Sequence, residues 1–189
     1  MKLFIKNMVC DRCKTAVKKE LISQGLHPES IELGEVTIKE EIDDEKKSNI
    51  RASLIPLGFE LIDDKKSRLI EKIKTAIVQL VHYSDEERKE NLSHYLSQEL
   101  QHDYTYLSNL FSEIEGITIE KYFIAQKIEK VKELLKYDEL SLNEIADKLN
   151  YSTAAYLSSQ FKSVTGMTPS RFKVLNPART PLDKLNRKP

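Results

Sequence analysis

Charge of one sign is what this 189-residue chain has none of to spare: 30 Lys and Arg face 30 Asp and Glu, for a net charge of +0. A nucleic-acid binder ordinarily carries a basic excess, because phosphates must be neutralised, so any DNA affinity has to come from local patches. Long apolar runs are also missing. None approaches the roughly 18 residues that a membrane span needs, and no membrane partner is expected. The opening MKLFIKNMVC lacks the extended apolar stretch and small-residue cleavage site of a secretory signal, which points to the cytoplasm. Glycine is scarce, at 5 residues, and no glycine-rich loop of the kind that cradles a phosphate is present. His27, His82, His94 and His102 are scattered, with no Ser/His/Asp order around them, so the chain is not read as an enzyme. Cysteine is limited to Cys10 and Cys13. In a reducing compartment that C-x-x-C spacing reads as metal-binding or redox-active before it reads as a structural disulfide.

What is present is organised around residues 141–173, SLNEIADKLNYSTAAYLSSQFKSVTGMTPSRFK. Ser141 and Glu144 have capping-box spacing, and Leu142, Ile145, Ala146 and Leu149 share one face of two helical turns. Asn150 suits a sharp turn, and Ser152 is placed to cap a second helix over about 153–164. There Tyr156, Leu157, Phe161 and Val164 are assigned to the core, leaving Thr153, Ala154, Ala155, Ser158, Ser159 and Lys162 outward. Small polar outer residues can enter a major groove. Gly166 stops the helix, Met167 acts as a hydrophobic clasp, and Thr168-Pro169 restarts a further helix. The pattern is helix-turn-helix. Lys162, Arg171 and Lys173 form a basic set suited to phosphates, while Thr153, Ala154, Ala155 and Ser159 are left for base edges, the alanines against thymine methyls.

The run EIADKLNYS…YLSSQFKSVTGMTPSRFK resembles the second helix-turn-helix of the AraC/XylS family of bacterial transcription regulators, whose signature ends in an F-K…G-M-T-P segment. It departs from the family at Asn150, usually glycine, and at Ser159, often arginine. Asn can hold the turn; the missing arginine removes a common base or phosphate contact, so the DNA sequence read by relatives does not carry over. A repeat at an offset of fifty residues pairs Tyr106-Leu107-Ser108 with Tyr156-Leu157-Ser158, Phe111 with Phe161, Gly116 with Gly166 and Thr118 with Thr168. That gives a first helix-turn-helix, with helices near 92–100 and 104–114, the second capped by Asp103. Between the repeats, 118–136 reads as one helix capped by Thr118, roughly 28 Å long at 1.5 Å per residue and close to the ~34 Å between successive major-groove faces. The tandem arrangement over about 85–175 is what the resemblance implies. Tyr104, Thr105, Ser108 and Asn109 are the first repeat's candidate DNA contacts, but Glu113 and Glu115 would repel phosphate, so a packing or protein-contact role stays open.

Upstream, residues 2–7 read as a strand, 12–24 as a helix, 30–33 and 36–40 as a hairpin around Gly34-Glu35, 43–57 as a helix carrying Ile50, Leu54 and Leu57 inward, and 59–62 as a last strand. This is the split βαβ ferredoxin-like order. With M-x-C-x-x-C between the first strand and helix, residues 1–63 are similar to the heavy-metal-associated domain of copper chaperones and pumps. The resemblance implies Cys10 and Cys13 as metal ligands, with Met8 packed beneath. Soft thiolates suit Cu(I) or another soft metal, and a helix N-terminus favours thiolate over thiol. Asn7 stands where the family has glycine, and Arg12 lies inside the motif, where it could stabilise thiolates without a metal. A pair of ordinary reduced cysteines is the other reading.

The expected fold class is α+β: a ferredoxin-like βαββαβ domain over 1–63, a linker helix within 64–84, an all-α tandem helix-turn-helix domain over 85–175 and a flexible tail over 176–189. The apolar stripe of Leu69, Ile70, Ile73, Ala76, Ile77, Leu80 and Val81 makes 68–83 helical, either opening the C-terminal domain or serving as a signalling or dimerising helix. The expected function is a cytoplasmic, sequence-specific transcription regulator that binds double-stranded promoter DNA, its N-terminal domain sensing a soft metal or thiol redox state. The alternative is a metal- or thiol-binding protein whose helical domain is a protein-interaction module. A homodimer stays open.

Overall fold

The computed structural model describes residues 1–83, 91–175 and Leu182. The tail expectation falls, apart from Leu182, outside those residues. The chain divides into two compact units, Met1–Thr75 and Ala76–Pro189.

In the first unit β1 (Lys2–Lys6) is followed by α1 (Asp11–Ser23), β2 (Pro28–Glu32), β3 (Glu35–Ile38), α2 (Asp44–Leu54), β4 (Glu60–Ile62) and the start of α3 (Lys65–Val78). The strands form one antiparallel sheet in the order β2-β3-β1-β4, with Leu3 opposite Val36 and Ile5 opposite Leu61. Period-two alternation sends Leu3, Ile5, Val36 and Ile38 to one face, where they bury with Val17 and Leu21 of α1 and Ile50 and Leu54 of α2. Gly34 turns the β2–β3 hairpin at φ 80°, a left-handed conformation that favours glycine.

Phe4 and Ile62, paired across β1 and β4, lie on the opposite face, and α3 supplies its cover. The Arg68 guanidinium sits 4.4 Å from the Phe4 ring centroid, and a Cβ on Gly34 would lie 3.3 Å from Thr75 Oγ1. The charged run DDKKS over 63–67, which begins at the expected end of the first domain at 63, therefore lies inside this unit.

Helix α2 ends before the expected Leu57. Pro56 cannot donate the next intrahelical bond, so the chain tightens into a 3₁₀ turn over Ile55–Leu57 and leaves Leu57 exposed. At the end of α1, Ile22 is likewise exposed. The 68–83 stripe is not uniform either: α3 stops at Val78 and a π-helical turn runs over Gln79–Tyr83.

The second unit is helical: α4 (Leu92–Leu100), α5 (Tyr104–Glu115), α6 (Ile119–Tyr137), α7 (Leu142–Lys148), α8 (Ala154–Thr165) and α9 (Pro169–Leu175). Phe111 of α5 meets Tyr122 of α6 at 5.6 Å between ring centroids, and Phe161 of α8 meets Phe172 of α9 edge-on at 5.5 Å. Ile128, Val131 and Leu135 carry the α6 side of a core shared with Ile145, Ala146, Leu149 and Leu157. Gln126 is fully buried and satisfied: its amide donates to the Tyr122 hydroxyl at 2.9 Å and its carbonyl accepts from His82 Nε2 at 3.0 Å. Among the described residues no helix is long and apolar enough to cross a membrane.

Candidate nucleic-acid interface

Each repeat consists of a short helix, a left-handed residue, a cap and a longer second helix. In the second, the Ser141 hydroxyl accepts from the Glu144 N–H while the Glu144 carboxylate accepts from the Ser141 N–H, a complete capping box. Those bonds hold the Glu144 carboxyl below its ordinary range. Asn150 takes φ 52° and Gly166 φ 77°, so the turn and the helix stop fall where the sequence puts them. The cap moves by one residue: Thr153, not Ser152, accepts from the Tyr156 N–H at 3.1 Å. The cause is Tyr151, whose N–H reaches back to the Ala146 carbonyl at 2.8 Å and extends the turn.

Along α8, Leu157 and Phe161 point into the core and Thr153, Ala155, Ser159 and Lys162 are exposed, with Ala154 and Ser158 half-buried. Tyr156 and Val164 do not enter the core as expected; they are 54 % and 49 % exposed. Leu157 and Phe161, one turn apart, already fill the inward stripe, so Tyr156 is rotated outward with its ring 6.0 Å from Tyr151. Tyr156 thus joins the outer face as a residue that sequence reasoning missed. Its counterpart in the first repeat, Tyr106, is exposed too. Arg171 and Lys173 are exposed on α9, but Lys173 is paired with Asp138, so phosphate would compete with that carboxylate for it.

The first repeat is built alike and charged differently. Asp103 caps α5, accepting from the Thr105 N–H at 2.8 Å, and Gly116 stops it at φ 70°. Thr105 and Asn109 are exposed, Tyr104 and Ser108 half-buried. Tyr104 donates its hydroxyl to the Glu120 carboxylate, and burial together with that bond raises the phenol above its ordinary range. Residues 91–120 contain Glu99, Asp103, Glu113, Glu115 and Glu120 and no Lys or Arg, whereas 141–175 sets Lys148, Lys162, Arg171 and Lys173 against Glu144 and Asp147. Only the second repeat has local charge of the sign that DNA attracts.

In the first unit, Cys10 is the N-cap of α1 and Cys13 sits in its first turn, with the sulfurs 3.0 Å apart and both thiols free. Met8 is buried in the core nearby. The expected thiolate does not hold for Cys13: burial, and then the hydrogen bond with Cys10, push its thiol up to about 11. Among the described residues no group of three or more His, Cys, Asp or Glu is placed to hold a metal ion. The loop leading to Cys10 starts at Asn7, left-handed at φ 69°, whose N–H donates to Glu71 of α3 at 3.4 Å and whose side chain donates to the Gly58 carbonyl at 2.9 Å.

Two short helices around a capped turn, repeated and joined by α6, define the helix-turn-helix class. Residues 96–174 match the family model described as a helix-turn-helix domain. Over 70 residues the chain is 36 % identical to the xylose operon regulatory protein of Escherichia coli (strain K12), covering 37 % of this chain and 18 % of that protein. Over 69 residues it is 28 % identical to the Msm operon regulatory protein of Streptococcus mutans, covering 36 % and 25 %. Among solved structures, the C-terminal domain of AraT, a response regulator from Geobacillus stearothermophilus, aligns with a TM-score of 0.50 and 26 % identity. That alignment covers 59 % of this chain and 88 % of that one. The chain thus spans only 18 % and 25 % of the two regulators' lengths.

Proposed function

We propose that the chain is a cytoplasmic, sequence-specific transcription regulator that binds promoter DNA through α8. The observation that carries this reading is the outer face of α8: small or polar side chains at Thr153, Ala154, Ala155, Ser158 and Ser159, flanked by Lys162 and by Arg171 on α9. Alanine and serine let the helix approach base edges closely, and the cations fix its register on phosphates. Tyr104, Thr105, Ser108 and Asn109 contribute less, because α5 brings carboxylates with it. On this reading 85–175 is the DNA-binding domain, 64–84 its connecting segment, 176–189 a tail, and 1–63 a ferredoxin-like, heavy-metal-associated-like domain that biases DNA binding. The strand order β2-β3-β1-β4 of the first unit supports its ferredoxin-like part.

Cys10 and Cys13 would be the ligands of a soft cation such as Cu(I), since their sulfurs are adjacent, free and half-buried. Cys13 must first lose its proton, so binding on this reading strengthens as pH rises. The test of function is selection from random duplex DNA by the purified protein, with reduced thiols and fixed salt. An enriched motif is expected; no enrichment would refute the regulator and favour a thiol-binding protein with an interaction module. A motif that shifts with Cu(I), and no longer shifts after Cys10→Ser with Cys13→Ser, would establish metal sensing.

A further inference from the structure

We propose that Lys127, on the helix joining the two repeats, is a positioning residue for DNA reading: it clamps the turn of the second helix-turn-helix and so sets the angle at which α8 is presented. The inference rests on the DNA-reading function proposed above and adds to it a residue remote from the reading face.

Lys127 Nζ lies 3.7 Å from the centroid of the Tyr151 ring and 5.5 Å from that of Phe123. No ion pair engages it among the described residues, so its attractive partners are ring faces, which favour a cation lying over them. Tyr151 is the meeting point of three helices. Its N–H is bound to the Ala146 carbonyl of α7 at 2.8 Å, and its hydroxyl donates to Gln160 Oε1 of α8 at 2.7 Å. Lys127 closes the third side from α6. Burial pulls the Lys127 ammonium down to about 8, which still leaves it charged in neutral solution. An apolar residue here would avoid that desolvation cost, but would lose the attraction of a cation for a ring face. The position fifty residues before Tyr151 is Gln101, so the first repeat has no aromatic ring there to clamp. The device belongs to the repeat that carries the basic charge.

The test uses the full chain, the duplex that it enriches and a scrambled duplex of equal length, with both affinities measured across a salt series. Lys127→Ala is expected to lower the ratio of specific to scrambled affinity about tenfold, with an unchanged salt slope, while Lys127→Arg, which also stacks on rings, restores most of it. Lys127→Met fills the space and guards against a folding artefact: at pH 7 it is expected to keep or raise the thermal midpoint and still lose discrimination. A loss of both affinities together, with the salt slope falling by about one, would make Lys127 a phosphate contact instead and overturn the inference. So would full discrimination in Lys127→Ala, or rescue by Met as complete as by Arg. If the wild-type chain enriches no motif, the regulator reading fails first and this inference with it; an enriched motif that is indifferent to Lys127 sinks this inference alone.

Discussion

Asn150 shows how one backbone angle ties sequence to function. At φ 52° it occupies a region that costs most L-residues roughly 1–2 kcal/mol and that Asn and Gly tolerate. Asn150→Gly should hold or slightly raise the denaturant midpoint of the helical unit, and Asn150→Val should lower it by about 1–2 kcal/mol. Equal midpoints for the two variants would mean that the turn is not set here. The reactivity of Cys13 is predictable in the same way. Because the thiolate is the nucleophile and this thiol is pushed up to about 11, Cys13 should alkylate slowly at pH 7.5 and accelerate as pH approaches that value. Peptide mass spectrometry after timed iodoacetamide treatment reads this directly; rapid labelling at neutral pH would contradict it. Lys127 makes a third case. Its folded-state value lies at about 8 against an ordinary 10.5, so between those values the unfolded chain holds the extra proton and stability rises with pH. Wild type should therefore gain on Lys127→Met in thermal midpoint between pH 8 and 9.5. A constant difference across that range would show that the ring faces cancel the effect of burial.

At the scale of elements, the helices were legible where caps and apolar spacing agreed. Asp103, Thr118 and Ser141 cap α5, α6 and α7 as their sequence positions indicate. Where two cues competed, the reading slipped. Pro56 ended α2 ahead of Leu57 although the apolar spacing continued, because a missing donor outweighs a periodic pattern. Helical spacing puts Tyr156 inward beside Leu157, yet Leu157 and Phe161 already fill the α8 stripe. The extension of α3 over the second face of the sheet had no visible signal, since an apolar stripe does not say which face it covers. The contrast between α5 and α8 leads to a prediction at this scale. Lys162→Ala should weaken DNA binding and reduce the salt slope by about one, whereas Glu113→Gln should leave both nearly unchanged. A large gain in affinity from Glu113→Gln would place α5 against phosphate.

For the whole molecule, two compact units divide the labour proposed above, and the neutral net charge conceals unlike parts, among them an acidic first repeat and a basic second one. Composition alone concealed this, because the charge that matters for DNA is local. The order of elements in both units followed from the sequence; the state of the cysteines did not, since burial of Cys13 depends on packing that spacing cannot report. Nor was the clamp on Tyr151 visible, because Lys127 and Tyr151 are far apart in the chain. The most direct test of the central claim, that α8 reads base sequence, is a paired selection from random duplex DNA with the wild-type chain and with Ser159→Arg. The account predicts that wild type enriches one motif and that the variant changes the preferred base at one or two adjacent positions while keeping the rest. An unchanged motif, or changes spread across the whole site, would contradict it.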